Sequence, residues 1–397
     1  MISRMTTMLV RLRDALPELV SSKLRGRLFR YSMRDLPAVP RAGSTPIRLY
    51  IAPTNTAGQG YRWARAAEIL EDVSSINLTV DRGKNAYPTN YSVPLPIFKS
   101  SKRWQRDHFE SIASAFSHVI IEASQPIFGP LFAYDVAAEA QALERRGVRV
   151  AMMCHGSEIK LPSRHASQHD HSPYKIVPPA VVRILERQAL KNRRALDGLG
   201  LPVFVSSPGL LIDVPYAIWV PVVVDVGLWT NDRVALERRL PVVLHAPSNA
   251  AIKRSDLIDS ALNSLDGEGV VEYRHISGVP NSEMPRMFKA ADIYIDAAGT
   301  GGYGVAACEA MAAGCLVVSY VTDQIVDHVK SATGLELPIV RASPDDIAGA
   351  VRRVLAQREL YRATARLGVD FVTKLHSGEY SASVLRTFLT VPDVIAS

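Results

Sequence analysis

The chain has 397 residues, 47% of them apolar and 21% charged, which suits a protein with two α/β domains, each large enough for its own core. Its three cysteines, Cys154, Cys308 and Cys315, are too few and too scattered for a disulfide framework, and favour a reducing cytoplasm. The net charge of +7 would suit nucleic acid if it were spread, but nine basic residues against three acidic ones lie within residues 1–41, so the body is nearly neutral and no nucleic-acid partner is expected.

At the start, Met8, Leu12, Leu16, Leu19, Leu24 and Leu28 recur at helical spacing among arginines. That pattern fits either a helix lying on an anionic membrane surface or an extension packed on its own domain. Arg11, Arg13 and Asp14 interrupt the stretch, so it does not read as a signal peptide, and no apolar run reaches the eighteen residues of a membrane span. Pro37, Pro40 and Pro46 mark a linker, giving an extension over residues 1–45.

The first domain is expected over residues 46–225. Ile47–Ala52 is a core strand, followed by a loop with Gly58, Gln59 and Gly60 and a helix through Ala67, Ile69 and Leu70. Strands at 78–80, 119–122 and 148–153 and a helix at 134–146 continue the alternation of a parallel, doubly wound sheet. The strand 148–153 ends in Cys154-His155-Gly156-Ser157-Glu158, where sites in open α/β sheets form. On the residues alone, His155 is either a structural histidine or a site residue. His165, His169 and His171 sit between prolines among polar residues; their spacing is loose for a metal site, with only Asp170 to join them, and the run reads as a flexible, solvated loop. A basic amphipathic helix over 175–195 and strands at 202–207 and 218–223 complete the domain.

The charged stretch 225–240 reads as the hinge into a second domain over residues 226–380. A strand from Pro241 leads to Ser248 and Asn249, then Lys253 and Arg254, then a helix over 256–265. A lysine at a helix start is either simply solvated or a cation for a diphosphate. Strands at 270–275 and 292–296 frame a helix at 284–291, and Asp296 reads either as a cap for the loop that follows, the preferred reading, or as a residue facing the ligand.

That loop opens Gly299–Tyr320, GTGGYGVAACEAMAAGCLVVSY, around which the chain is organised. Gly299, Gly301, Gly302 and Gly304 let backbone N–H groups approach a ligand at a helix N-terminus. Glu309 is the only charge on the small, apolar helix 306–313, placed to accept hydrogen bonds from a hydroxylated ligand. Gly314 stops the helix before the strand 316–318. Helices at 344–357 and 361–374 follow, and 381–397 holds a last helix.

The run Tyr303–Tyr320 resembles the donor-site signature of retaining, family 4-like glycosyltransferases of the GT-B fold. There a carboxylate, seven residues and a second carboxylate precede Ala-Met-Ala-x-Gly and a strand. Glu309 matches the second carboxylate, which binds ribose; the first, associated with the transferred sugar, falls at Gly301. The resemblance extends over roughly residues 47–390. It implies two Rossmann-like domains facing a cleft, the last helix returning to the first domain, and transfer of a sugar from a UDP- or GDP-sugar to an acceptor hydroxyl with retention. It also implies no obligatory metal or cofactor.

By the same resemblance, the loop of Gly58, Gln59 and Gly60 faces donor phosphates and acceptor, and His155 orients the sugar. Ser248, Asn249, Lys253 and Arg254 serve the diphosphate, with Arg254 standing in for an arginine that the family has earlier. Gly301, Tyr303, Gly304 and Val305 form the loop that meets the donor. The expected acceptor is a glycan or lipid-linked molecule of the cell envelope. A cytoplasmic enzyme, peripheral on the inner membrane face through residues 1–41, is the resulting expectation. The alternatives are a nucleotide-sugar binder without transfer activity, prompted by Gly301, and a membrane-surface scaffold.

Overall fold

The computed structural model describes residues 31–83 and 87–390, so the amphipathic start over the first thirty residues lies outside the described part. The described residues form two compact units: the chain up to Met153 together with residues 388–390, and Cys154–Thr387.

In the first unit, β1 (Ile47–Ala52), β2 (Val73–Asp81), β3 (Tyr91–Pro94), β4 (His118–Glu122) and β5 (Arg149–Cys154) lie in the order β3-β2-β1-β4-β5. β1 pairs in parallel with β2 and β4, β2 with β3, and β4 with β5. Leu49, Tyr50, Ile51 and Ala52 are wholly buried, as an apolar run covered on both faces requires. β2 is longer than its apolar residues predict, because Ser75, Asn77 and Thr79 are also buried. Ser75 Oγ donates to Ala64 O of the helix Gln59–Ala67, and the backbone N–H groups of Asn77 and Asn90 each donate to the other's side-chain oxygen (3.0 and 2.9 Å), while Asn77 Nδ2 has no partner among the described residues. The helix Gln59–Ala67 buries Trp63 and three alanines against the sheet. Phe388 packs edge-on against His118, and Arg149 lies over its ring.

The second unit holds a short parallel pair, β6 (Val203–Val205) and β7 (Ile218–Trp219), and a five-stranded parallel sheet. That sheet comprises β8 (Val242–His245), β9 (Glu272–His275), β10 (Ile293–Ile295), β11 (Leu316–Ser319) and β12 (Val340–Arg341), in the order β12-β11-β10-β8-β9. Leu262, Ile258 and Leu265 of helix Ser255–Gly267 meet Val351 and Val354 of helix Ile347–Ala356 and the β10 and β11 side chains in one apolar core. The long basic helix runs over Pro179–Leu199, four residues later than predicted, since Pro178 and Pro179 fit its start but not its interior. It ends at Gly200, whose φ of +64° suits a left-handed cap.

Candidate functional site

In an open parallel sheet, ligands bind beyond the carboxyl ends of the strands where the order reverses. In the second unit, β9 follows β8 on one side while β10 takes its place on the other, so the reversal lies between β8 and β10. The loops leaving those strands are 246–254 and 296–304, the two stretches singled out in the sequence. A buried histidine that sequence reasoning missed ties them together. His245 donates from Nδ1 to Ile295 O (2.8 Å), which leaves Nε2 to accept from Ser255 Oγ (2.7 Å). Burial holds this imidazole down to about 4, so it is neutral and joins the end of β8, the end of β10 and the start of helix Ser255–Gly267.

Along the first loop, Ser248 and Asn249 are exposed, and Asn249 caps the single turn Ala250–Lys253 by accepting from Ile252 N (3.2 Å). Lys253 Nζ meets Asp296 Oδ1 at 2.6 Å, and Asp296 is wholly buried. The carboxylate expected to cap a loop instead forms an ion pair. The Lys253 carbonyl also accepts from Ala298 N (3.0 Å), so one residue is joined to the neighbouring loop by side chain and backbone. Arg254 has left-handed backbone angles and is buried. Its guanidinium forks onto Asp256 (2.9 and 2.7 Å) and donates to His171 O (3.0 Å). That hydrogen bonding holds Asp256 below the usual carboxylate range. The arginine expected to serve a diphosphate is therefore engaged with the protein itself.

The glycine loop is shaped by its neighbours. A β-carbon at Gly299 would stand 2.5 Å from Arg254 Cγ and 3.0 Å from His171 O, so the arginine stem occupies the space a side chain needs. Gly304 precedes helix Val305–Ala312, whose first N–H groups have no intrahelical partner. Glu309 lies buried on that helix, 7% exposed. Its small companions allow close packing: a β-carbon at Gly368 would be 3.2 Å from Met311 Cγ. Tyr303 turns inward, its ring edge-on to His376 (5.9 Å) and Phe371 (6.4 Å). Its hydroxyl has no partner among the described residues, so what Tyr303 presents to a ligand is backbone.

The three histidines expected in a solvated loop are placed otherwise. Pro162–Gln168 is helical, and His165 and His169 are buried against the glycine loop, their rings 4.3 Å apart. His165 Nε2 faces Thr300 O (3.3 Å) and its Nδ1 faces Ser172 Oγ (2.7 Å). His169 Nδ1 meets Tyr320 OH at 3.0 Å. His171 pairs with Asp345 (2.7 Å). The three diverge, and no cluster of three metal-ligating side chains exists among the described residues. Burial, aided by Lys160, holds His165 down to about 4 and lowers His169 as well.

The remaining candidates lie at two strand ends. After β5, the Glu158 carboxylate accepts from His155 N and from Gly156 N (2.8 Å), fixing the backbone that carries the half-buried His155. In the first unit, Gly60 passes so close to Glu122 that a β-carbon would be 3.0 Å from both carboxylate oxygens. Glu122 also accepts from Thr54 N (3.1 Å) and Asn55 N (2.9 Å). Gly58 (φ +75°) lies under Tyr87, and Gln59 is buried. An internal carboxylate thus stands at this helix N-terminus.

Parallel sheets with these strand orders define a GT-B fold, which solved structures of that class share. Sucrose-phosphate synthase from Thermosynechococcus elongatus superposes with a TM-score of 0.54 at 13% identity, covering 84% of this chain and 96% of that one. Anabaena HepE in complex with UDP and glucose gives 0.53 at 10% identity, covering 86% and 98%. WaaG, a glycosyltransferase involved in lipopolysaccharide biosynthesis, gives 0.51 at 12% identity, covering 87% and 100%. The family model described as Glycosyl transferases group 1 matches residues 269–368, which hold the glycine loop and Glu309. Together the solved structures show a GT-B fold, and the family model is matched over a part of the second unit. No curated protein sequence matches the chain.

Proposed function

We propose that this protein transfers a sugar from a nucleotide-sugar donor to an acceptor hydroxyl, with retention of anomeric configuration. The observation that carries the reading is the meeting of Lys253 and the glycine loop at the β8–β10 reversal, in front of the helix on which Glu309 lies. The N–H groups at Gly304 and Val305 receive the diphosphate, the Lys253 ammonium adds a cation, and Glu309 accepts the ribose hydroxyls. In transfer the acceptor oxygen bonds to the anomeric carbon as the bond to the diphosphate breaks. The acceptor's proton passes to the departing phosphate oxygen, and the donors around the loop offset the charge that develops there. His155 orients the sugar. The HepE complex makes UDP the nucleotide to try first, with GDP the second.

In this reading residues 46–225 form the acceptor-side domain, 226–380 the donor domain and 381–397 a helix returning to the first. The acceptor is a lipid-linked or envelope glycan, and residues 1–41 hold the protein to an anionic membrane face. Among the described residues no helix is long and apolar enough to cross a membrane. A second reading, donor binding without transfer, is favoured by Gly301, which offers no carboxylate. Turnover separates the two. Incubation with UDP- and GDP-sugars and a panel of polyol and lipid-linked acceptors is expected to yield a glycoside of retained configuration by NMR. Donor that binds and is never consumed would leave the second reading.

A further inference from the structure

Gly301 is the position at which a side chain is most conspicuously missing from the loop, and the structure shows what fills that space. Its φ of +74° is a backbone conformation that side-chain-bearing residues rarely adopt. A β-carbon there would stand 3.0 Å from His169 Cε1, 3.4 Å from His169 Nε2 and 3.3 Å from Thr322 Cγ2. The ring edge bearing Nε2 therefore lies over Gly301. His169 is held in that place from two sides. Tyr320 OH meets its Nδ1 at 3.0 Å, and the His165 ring packs against it at 4.3 Å, tilted by 41°. His165 is itself anchored, because Thr300 O can only accept and so fixes the proton on His165 Nε2, leaving Nδ1 to accept from Ser172 Oγ. The Tyr320 hydroxyl can donate to His169 Nδ1, and in that tautomer the His169 proton sits on Nε2. That N–H has no partner among the described residues, although His169 is only 9% exposed. An N–H left without a protein partner at the edge of a ligand loop is available to a ligand.

We propose that His169 is a specificity-determining residue of this site, its Nε2–H donating to a hydroxyl of the group carried on the bound diphosphate. The inference rests on the nucleotide-sugar reading above and deepens it. Tyr320 and His165 are positioning residues, which set the tautomer and the plane of the ring. Both imidazoles are depressed by burial, so the contact is a neutral hydrogen bond suited to an uncharged sugar hydroxyl rather than to a phosphate.

Calorimetric titration with UDP and UDP-glucose, and with GDP and GDP-mannose, tests this on the full chain and on His169→Ala, His169→Gln and Tyr320→Phe. The wild type is expected to bind one sugar nucleotide more tightly than its parent nucleotide. His169→Ala should leave the nucleotide within twofold and weaken the sugar nucleotide about tenfold, and His169→Gln, which keeps an N–H donor, should recover part of that. Equal weakening of nucleotide and sugar nucleotide, or no weakening of either, would overturn the proposal and leave the site reading standing. A wild type that binds neither nucleotides nor sugar nucleotides would overturn the site reading itself. The histidine 1H–15N spectrum of the unmutated protein gives a check free of folding effects. The His169 Nε2 resonance is expected to move on adding the sugar nucleotide and to stay with the nucleotide alone; no movement with either would contradict the contact.

Discussion

Lys253 has two partners to serve, since it neutralises Asp296 at 2.6 Å and is also the cation assigned to a diphosphate. Asp296 is wholly buried, and its Oδ2 has no hydrogen-bond partner among the described residues, so the ammonium is its main compensation. Removing one member of a buried pair is far worse than never having had it. Lys253→Ala is therefore expected to destabilise the protein by about 3 kcal/mol in urea titrations. Lys253→Met with Asp296→Asn should recover most of that while still lacking the cation. The double variant is the one in which a loss of nucleotide affinity reports on binding. Full stability in Lys253→Ala would show that the pair does not form in solution.

The loops leaving β8 and β10 act as one element, because Arg254 lies over Gly299 and Ala298 N bonds to Lys253 O. A methyl at residue 299 collides with an arginine stem rather than a flexible tip, so Gly299→Ala is expected to cost about 1–3 kcal/mol and to weaken nucleotide binding with it. Gly301→Ala should cost a similar amount in the wild type but less in His169→Ala, a coupling that a thermal double-mutant cycle measures. Additive costs would mean that the ring does not stand over Gly301. This is also where sequence reading reached its limit. The strands, the glycine loop and Glu309 were legible because apolar runs, glycine spacing and a lone carboxylate are local signals. The partner of Asp296 lies 43 residues away and that of His169 lies 151 residues away, so neither is a local pattern. The run around His165 reads as solvated for the same reason: its burial comes from Thr300 and Tyr320, far along the chain. Arg254 was recognised as a cation, but the Asp256 fork that engages it depends on left-handed backbone angles that composition does not announce.

Across the whole molecule, buried histidines couple stability to pH. His108 in the first unit is held down to about 3 by burial, and His245 and His376 in the second to about 4. Each folded value lies below the unfolded value near 6.5, so between the two the unfolded chain takes up the proton first. This stability is fully present above about pH 7 and is lost as pH falls from 6.5 towards 4, by about 3 kcal/mol for a histidine held at 4. The thermal midpoint should be flat from pH 7 to 8 and drop steadily below 6.5, with His376→Asn flattening part of the drop. A midpoint that rises on acidification through this window would contradict the neutral, buried assignments.

The central claim is that the β8–β10 reversal holds a nucleotide sugar, and calorimetric titration of UDP- and GDP-sugars into wild type and Glu309→Gln tests it most directly. Saturable one-to-one binding is expected for the wild type, weakened by about 1.5–3 kcal/mol in the variant through loss of charge-assisted ribose contacts, with the thermal midpoint of the unliganded variant little changed. Absence of binding by the wild type, or equal affinity in the variant, would contradict it.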